Sequence, residues 1–114
     1  MTDCLFCKIA IGEIPATVVR SDDRLMAFRD LNPQAPTHVL VIPREHYADA
    51  AEVAAADPAL IGAMITAARM IAAEEVGEDS GYRLVFNTGS DAGQTIFHAH
   101  LHLLAGARLA AGMV

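Results

Sequence analysis

The stretch Phe97-His98-Ala99-His100-Leu101-His102-Leu103-Leu104 alternates between imidazoles and small or apolar side chains. A period of two marks a half-buried strand, because successive side chains leave a strand on opposite faces. Read that way, residues 97–104 form a strand with His98, His100 and His102 on one face. Ala99, Leu101 and Leu103 point the other way, into a core. At about 3.3 Å per residue the three imidazoles spread over roughly 13 Å. A neutral imidazole near pH 7 can act as nucleophile, base or ligand. Crowding by like groups disfavours protonation and keeps a nucleophilic nitrogen free. One histidine here would read as the wet side of a sheet; three in alternation point to a site. A hydrolytic zinc site built on a His-x-His pair would need a third ligand and a nearby acid or base. No Asp or Glu lies in this strand.

The rest of the chain supplies partners for such a strand. Val18-Val19-Arg20 and Leu25-Met26-Ala27-Phe28 read as two strands around a turn at Ser21-Asp22-Asp23. Two prolines make Asn32-Pro33-Gln34-Ala35-Pro36 a loop. His38-Val39-Leu40-Val41-Ile42 is a third strand closed by Pro43, and Tyr82-Arg83-Leu84-Val85-Phe86 a fourth. Thr88-Gly89-Ser90-Asp91-Ala92-Gly93 is a turn-rich connection. Cys4 to Ile11 is apolar at helical spacing and stops at Gly12, which predicts a short helix. Asp57-Pro58 is an N-cap followed by proline at the first helical position. It opens a long helix with an apolar stripe of Leu60, Ile61, Met64, Ile65, Ala68, Ile71 and Ala72, stopped by Gly77. The order of elements predicts an α+β fold: a five-stranded, mostly antiparallel sheet with one long helix and a short N-terminal helix.

At 114 residues the chain fits a single domain, residues 1–114, able to bury a core of modest stability. Hydrophobic residues make up 54%, which argues against disorder. The net charge is −6, from 8 basic and 14 acidic residues, with no basic run to track a phosphate backbone. Duplex nucleic acid is therefore excluded as the expected partner. A small nucleotide can still be held by backbone N–H groups. No apolar run reaches bilayer length, and Met1-Thr2-Asp3 does not open a secretory signal, so a cytoplasmic protein is expected, with no membrane partner. Its two cysteines should then be reduced or metal-bound. They form Cys4-Leu5-Phe6-Cys7, a Cys-x-x-Cys pair that is half of a tetrahedral zinc site. Two buried thiols would be the plain alternative. A thioredoxin-like pair lacks its βαβ surroundings.

Three blocks of this sequence resemble one family. His98-Ala99-His100-Leu101-His102-Leu103-Leu104 matches the histidine-triad (HIT) motif, His-φ-His-φ-His-φ-φ with φ apolar. Asn87-Thr88-Gly89-Ser90-Asp91-Ala92-Gly93-Gln94-Thr95 and Asp30-Leu31-Asn32-Pro33-Gln34-Ala35-Pro36-Thr37-His38 are similar to the family's loops, in the family's order. The likeness spans about Cys4 to Arg108 and is strongest to the HINT branch, the purine nucleoside phosphoramidases.

The resemblance implies a hydrolase in which His100 attacks the α-phosphorus of a purine nucleoside 5′-phosphoramidate. A nucleotidyl-histidine forms, and water releases the nucleoside monophosphate, AMP for an adenosine substrate. His102 would contact phosphate oxygens. Thr95, where the branch often has serine, would guide a proton to the leaving amine. Backbone N–H groups of Gly93, Gln94 and Thr95 would line the phosphate site. Asp30 would accept from the ribose hydroxyls with Leu31 beside it, and Asn87 would bond near the phosphate ester. His38 would support the triad. Taken alone, Asp30 reads as a strand-end charge, Asn87 as a turn former and His38 as a packed core histidine.

Many microbial members resemble this chain in the Cys-x-x-Cys pair. In those, a histidine after the third strand and the first triad histidine complete a structural zinc site. The corresponding set here is Cys4, Cys7, His46 and His98. A homodimer is also implied, with the long helix and residues 82–86 near its interface. HINT proteins commonly continue into a tryptophan-proline segment, whereas this sequence has no tryptophan. The rival readings are a dinucleoside polyphosphate hydrolase and a nucleotide-binding protein with vestigial catalysis. The transferase branch, which carries glutamine at the third position, is disfavoured by His102.

Overall fold

Pairing of Thr37–Pro43 with Leu101–Ala105 is the centre of the architecture, because it sets the histidine strand against the most buried strand of the sheet. The computed structural model describes residues 3–111. The elements are α1 (Leu5–Ala10), β1 (Val18–Ser21), β2 (Leu25–Arg29), β3 (Thr37–Pro43), α2 (Ala50–Ala56), α3 (Pro58–Val76), β4 (Arg83–Phe86) and β5 (Leu101–Ala105). The sheet runs β1-β2-β3-β5-β4, and all four pairings are antiparallel. An α+β fold with five strands is thus what the sequence predicts and what the chain forms.

Register decides which side chains meet. Val39 lies opposite Leu103 and Val41 opposite Leu101 in β3–β5, and Ala27 opposite Val41 in β2–β3. That face carries the main core, closed by Val53 of α2 and by Leu60, Met64, Ala68, Ile71 and Ala72 of α3. The opposite face presents Met26, Phe28, Leu40 and Ile42, which pack under Phe6, Ile9 and Ala10 of α1. Central strands covered on both faces read as continuous apolar runs, and all seven residues of β3 are buried.

Three expectations need correction. First, the last strand begins at Leu101 rather than Phe97. Pairing stops there on both sides: Leu101 faces Phe86, the end of β4, and makes the last pair with β3 at Val41, although β3 itself continues to Pro43. The N–H of Ala99 donates instead to the carbonyl of Tyr47 at 2.7 Å. Second, a seven-residue helix, α2, precedes the long one. Asp49 caps it by accepting from the Glu52 N–H at 2.9 Å, while Glu52 accepts from the Ala48 N–H at 3.0 Å. This reciprocal cap is legible as Asp-x-x-Glu but was absent from the predicted elements. Third, Ile65 is not part of the buried stripe of α3; it is 41% exposed, and Ala67 is buried in its stead. Asp57 sits at the N-cap of α3 without a side-chain cap bond, because its carboxylate pairs with Arg24 at 3.0 Å.

Candidate active site

His100 lies in the extended segment that leads into β5. The Nδ1–H of its imidazole donates to the carbonyl of His98 at 2.7 Å. That bond fixes the tautomer and leaves the Nε2 lone pair free, the state a nucleophile requires. The ring stands between two others, with centroids 5.1 Å from Phe6 and 5.0 Å from His102.

His102, two residues on, belongs to a relay of three groups. The Gln34 N–H donates to His38 Nδ1 at 3.0 Å, so the proton of neutral His38 resides on Nε2. That nitrogen lies 3.0 Å from His102 Nδ1 and 3.4 Å from Asp30 Oδ2. His102 Nδ1 therefore accepts, and its Nε2 carries a proton to offer. Burial, with His100 and His38 beside it, holds His102 down to about 4. It is therefore neutral at pH 7, with its Nε2–H available to donate.

The loop between β4 and β5 is shaped from within. Its 3-10 turn, Ser90–Ala92, ends at Gly93, whose φ of +93° and ψ of 10° favour glycine. Gln94 is buried. Its amide oxygen accepts from the Gly89 N–H at 2.8 Å, and its amide nitrogen donates to the carbonyls of Ala48 (2.7 Å) and Ile96 (3.0 Å). The N–H groups of Gly93 and Gln94 donate to Ser90 and Gly89 carbonyls. The side-chain amide of Gln94 thus holds the loop in shape, and its backbone N–H, one of the three expected at the phosphate, has the Gly89 carbonyl as its partner here. Thr95 is exposed beside it.

The pieces meet around a cleft of about 370 Å³. Its lining has a polar part, with Asp30, Asn87, Gly93, Thr95, His100 and His102, and an apolar part, with Phe6, Ile9, Ile14, Ala16, Phe28 and Leu40. Leu31 lies at the rim, almost fully exposed. Of the residues expected to contact nucleotide, all but Gln94 border this cleft. The apolar wall was missed by sequence reasoning, because a helix, the segment that follows it and two strands, separate in sequence, supply it.

A second cluster adjoins the first. Cys4 Sγ lies 3.2 Å and Cys7 Sγ 3.5 Å from His98 Nδ1, and Cys7 Sγ lies 3.4 Å from His46 Nδ1. The two Nδ1 atoms are 3.3 Å apart. The Nε2–H of His98 donates to the Pro43 carbonyl at 2.7 Å, so its Nδ1 lone pair faces the sulfurs. His98 is fully buried, and burial pushes its protonation down. Burial and the neighbouring Cys4 push the Cys7 thiol up to about 11. A bound cation would reverse that, since metal ligation deprotonates a thiol. The four residues could hold a metal ion. Thus the three histidines share a face, as the alternation implies, but His98 is turned to this cluster.

The HIT domain family model matches residues 11–109. The chain belongs to the HIT family. As a HIT protein it is 49% identical to a HIT-like protein of Synechococcus elongatus over 95% of this chain and 94% of that one. It is 44% identical to the purine nucleoside phosphoramidase of Escherichia coli, over 91% of this chain and 87% of the relative. The crystal structure of a HIT family hydrolase from Legionella pneumophila superposes with a TM-score of 0.92 at 49% identity, covering 96% of this chain and 98% of that one. The protein is accordingly a hydrolase of the HIT type.

Proposed function

We propose that this HIT hydrolase cleaves purine nucleoside 5′-phosphoramidates through a covalent nucleotidyl-His100 intermediate. The observation that carries the reading is the His100 ring: Nδ1–H is held by the His98 carbonyl, which leaves Nε2 free, and the residue lines a cleft with both polar and apolar walls. The name of the Escherichia coli relative supports the substrate class. In the first step Nε2 attacks the α-phosphorus, a P–N(histidine) bond forms and the P–N(amine) bond breaks. The leaving amine takes a proton from the Thr95 hydroxyl, which is exposed and recovers one from solvent. His102 donates from Nε2 to a phosphoryl oxygen as charge builds there. Water then attacks the same phosphorus, releases the nucleoside monophosphate and restores His100. The apolar lining takes the purine, Asp30 accepts from the ribose, and Asn87 bonds at the phosphate ester.

Zinc is the metal we assign to the second cluster. Tetrahedral zinc with sulfur at about 2.3 Å and nitrogen at about 2.0 Å sets S···N near 3.5 Å and N···N near 3.3 Å. The S···N separations of 3.2–3.5 Å and the N···N separation of 3.3 Å fit that polyhedron. Four protein ligands leave no open position, so the ion would brace the fold and take no part in the reaction. A reduced thiol pair suits the cytoplasm.

Wild type and His100→Ala, assayed on an adenosine phosphoramidate and on a diadenosine polyphosphate, test the reading. Wild type should prefer the phosphoramidate, and His100→Ala should lose about 10⁴-fold in kcat while still binding AMP. A preference for the polyphosphate would move the substrate class. Equal inactivity of both proteins with equal AMP binding would remove the enzyme assignment.

A further inference from the structure

The cleft and the Cys/His cluster share one short helix, and one side chain on it touches both. Phe6 lies between Cys4 and Cys7 in sequence and is buried. Its ring stands at 90° to the His100 imidazole, with centroids 5.1 Å apart, and at 73° to that of His98 at 6.0 Å. It also packs edge-on against Phe28 at 5.4 Å. Such edge-to-face pairs are attractive and directional. The single bond from Nδ1–H to the His98 carbonyl leaves the His100 ring free to tilt about its axis. The neighbouring rings of Phe6 and His102 limit that tilt.

Whatever holds Phe6 therefore bears on the nucleophile. Helix α1 has six residues, well below the roughly 12–15 at which a helix persists by itself in water. Its apolar side rests on Met26, Phe28, Leu40 and Ile42. At its C-terminal end the Ala10 carbonyl accepts from Arg44 Nη1 at 2.7 Å. Its N-terminal turn is tied through the sulfurs of Cys4 and Cys7, which face His98 and His46. An ion held by those four side chains would fix the residues on either side of Phe6.

We propose that Phe6 is a positioning residue for His100, and that through α1 zinc in the Cys4–Cys7–His46–His98 cluster tightens nucleotide binding in the cleft. The inference rests on the cleft being a nucleotide site, as argued above. Linkage makes the effect reciprocal: the factor by which zinc raises AMP affinity is the factor by which AMP raises zinc affinity. Couplings of this kind are commonly 5–150-fold, and about tenfold is expected here.

The test compares zinc-loaded and chelator-stripped full-length protein for AMP binding by calorimetry. A competing chromogenic chelator then measures zinc affinity with and without AMP. Both should return the same factor. Phe6→Leu keeps an apolar wall but removes the ring. It should retain one zinc per chain, lower kcat about tenfold, weaken AMP binding by the loaded protein towards that of stripped wild type, and bring the linkage factor towards one. Equal AMP affinity with and without zinc would overturn the coupling. Wild-type kcat and wild-type linkage in Phe6→Leu would overturn the positioning role. If stripped protein unfolds, the chelator competition on loaded protein decides alone, and a zinc affinity indifferent to AMP overturns the coupling. A loaded protein that binds no AMP overturns the nucleotide reading together with this inference, whereas lost coupling with AMP still bound overturns only this one.

Discussion

His98, His100 and His102 are one residue type with three different hydrogen-bond partners, and the partner decides the free nitrogen. His98 gives its Nε2–H to the Pro43 carbonyl and turns Nδ1 to the sulfurs. His100 gives its Nδ1–H to the His98 carbonyl and keeps Nε2 free. His102 accepts at Nδ1 from His38. The depressed protonation of His102 has a consequence for stability. The unfolded chain takes up a proton on this residue near 6.5, whereas the folded chain does so only near 4. The stability it contributes is complete above pH 6.5 and is lost as pH falls towards 4. Urea denaturation at pH 7.5 and pH 4.5 should show a smaller loss for His102→Gln than for wild type. Equal losses would mean that His102 is not the group responsible.

Among the elements, α3 and β4 leave surface that the described residues do not cover. β4 is an edge strand with pairing on one side only. On α3, Ile65 and Met70 are more than 40% exposed, and Tyr82 just before β4 is similarly open. We propose that these elements form the homodimer interface, consistent with the need of an edge strand for cover. Light scattering should return twice the 12.1 kDa chain mass, and Ile65→Glu should shift the protein towards the single-chain value. A wild-type protein at 12.1 kDa across micromolar concentrations would remove the interface. The elements were largely legible in sequence because period and punctuation agree: Pro43 ends β3, Pro58 starts α3 and Gly77 stops it. Helix α2 was not, because its alanine-rich run, Ala50-Ala51-Glu52-Val53-Ala54-Ala55-Ala56, has one buried anchor, Val53, and so no periodic stripe. Only the Asp49–Glu52 cap announced it.

For the molecule as a whole, α1 is the piece with least intrinsic stability and most functional contact. It covers one face of the sheet, carries Phe6 and Ile9 into the cleft, and begins at the Cys/His cluster. Its docking should therefore depend on the metal. Purified protein is expected to contain about one zinc per chain, and Cys4→Ser to lose it with a fall in Tm of about 5 °C or more. A metal-free protein with unchanged Tm would remove zinc from the account. Among the described residues no helix is long and apolar enough to cross a membrane.

The amino-acid sequence by itself determined the succession of strands along the chain, the long helix, the alternation of the three histidines and the identity of the polar groups around the cleft. Those features are local: alternation, proline, glycine and short motifs act within a few residues of where they are read. Tertiary structure alone decided the rest. The apolar wall exists only where α1 packs on β2 and β3, and Gln94 faces inward because Ala48 and Ile96 supply its acceptors. The shared face of His98, His100 and His102 was set by chain geometry. Which nitrogen each leaves free was set by carbonyls and imidazoles that reach them from other parts of the fold, and hydrogen-bond partners distant in sequence are invisible to a pattern of period two.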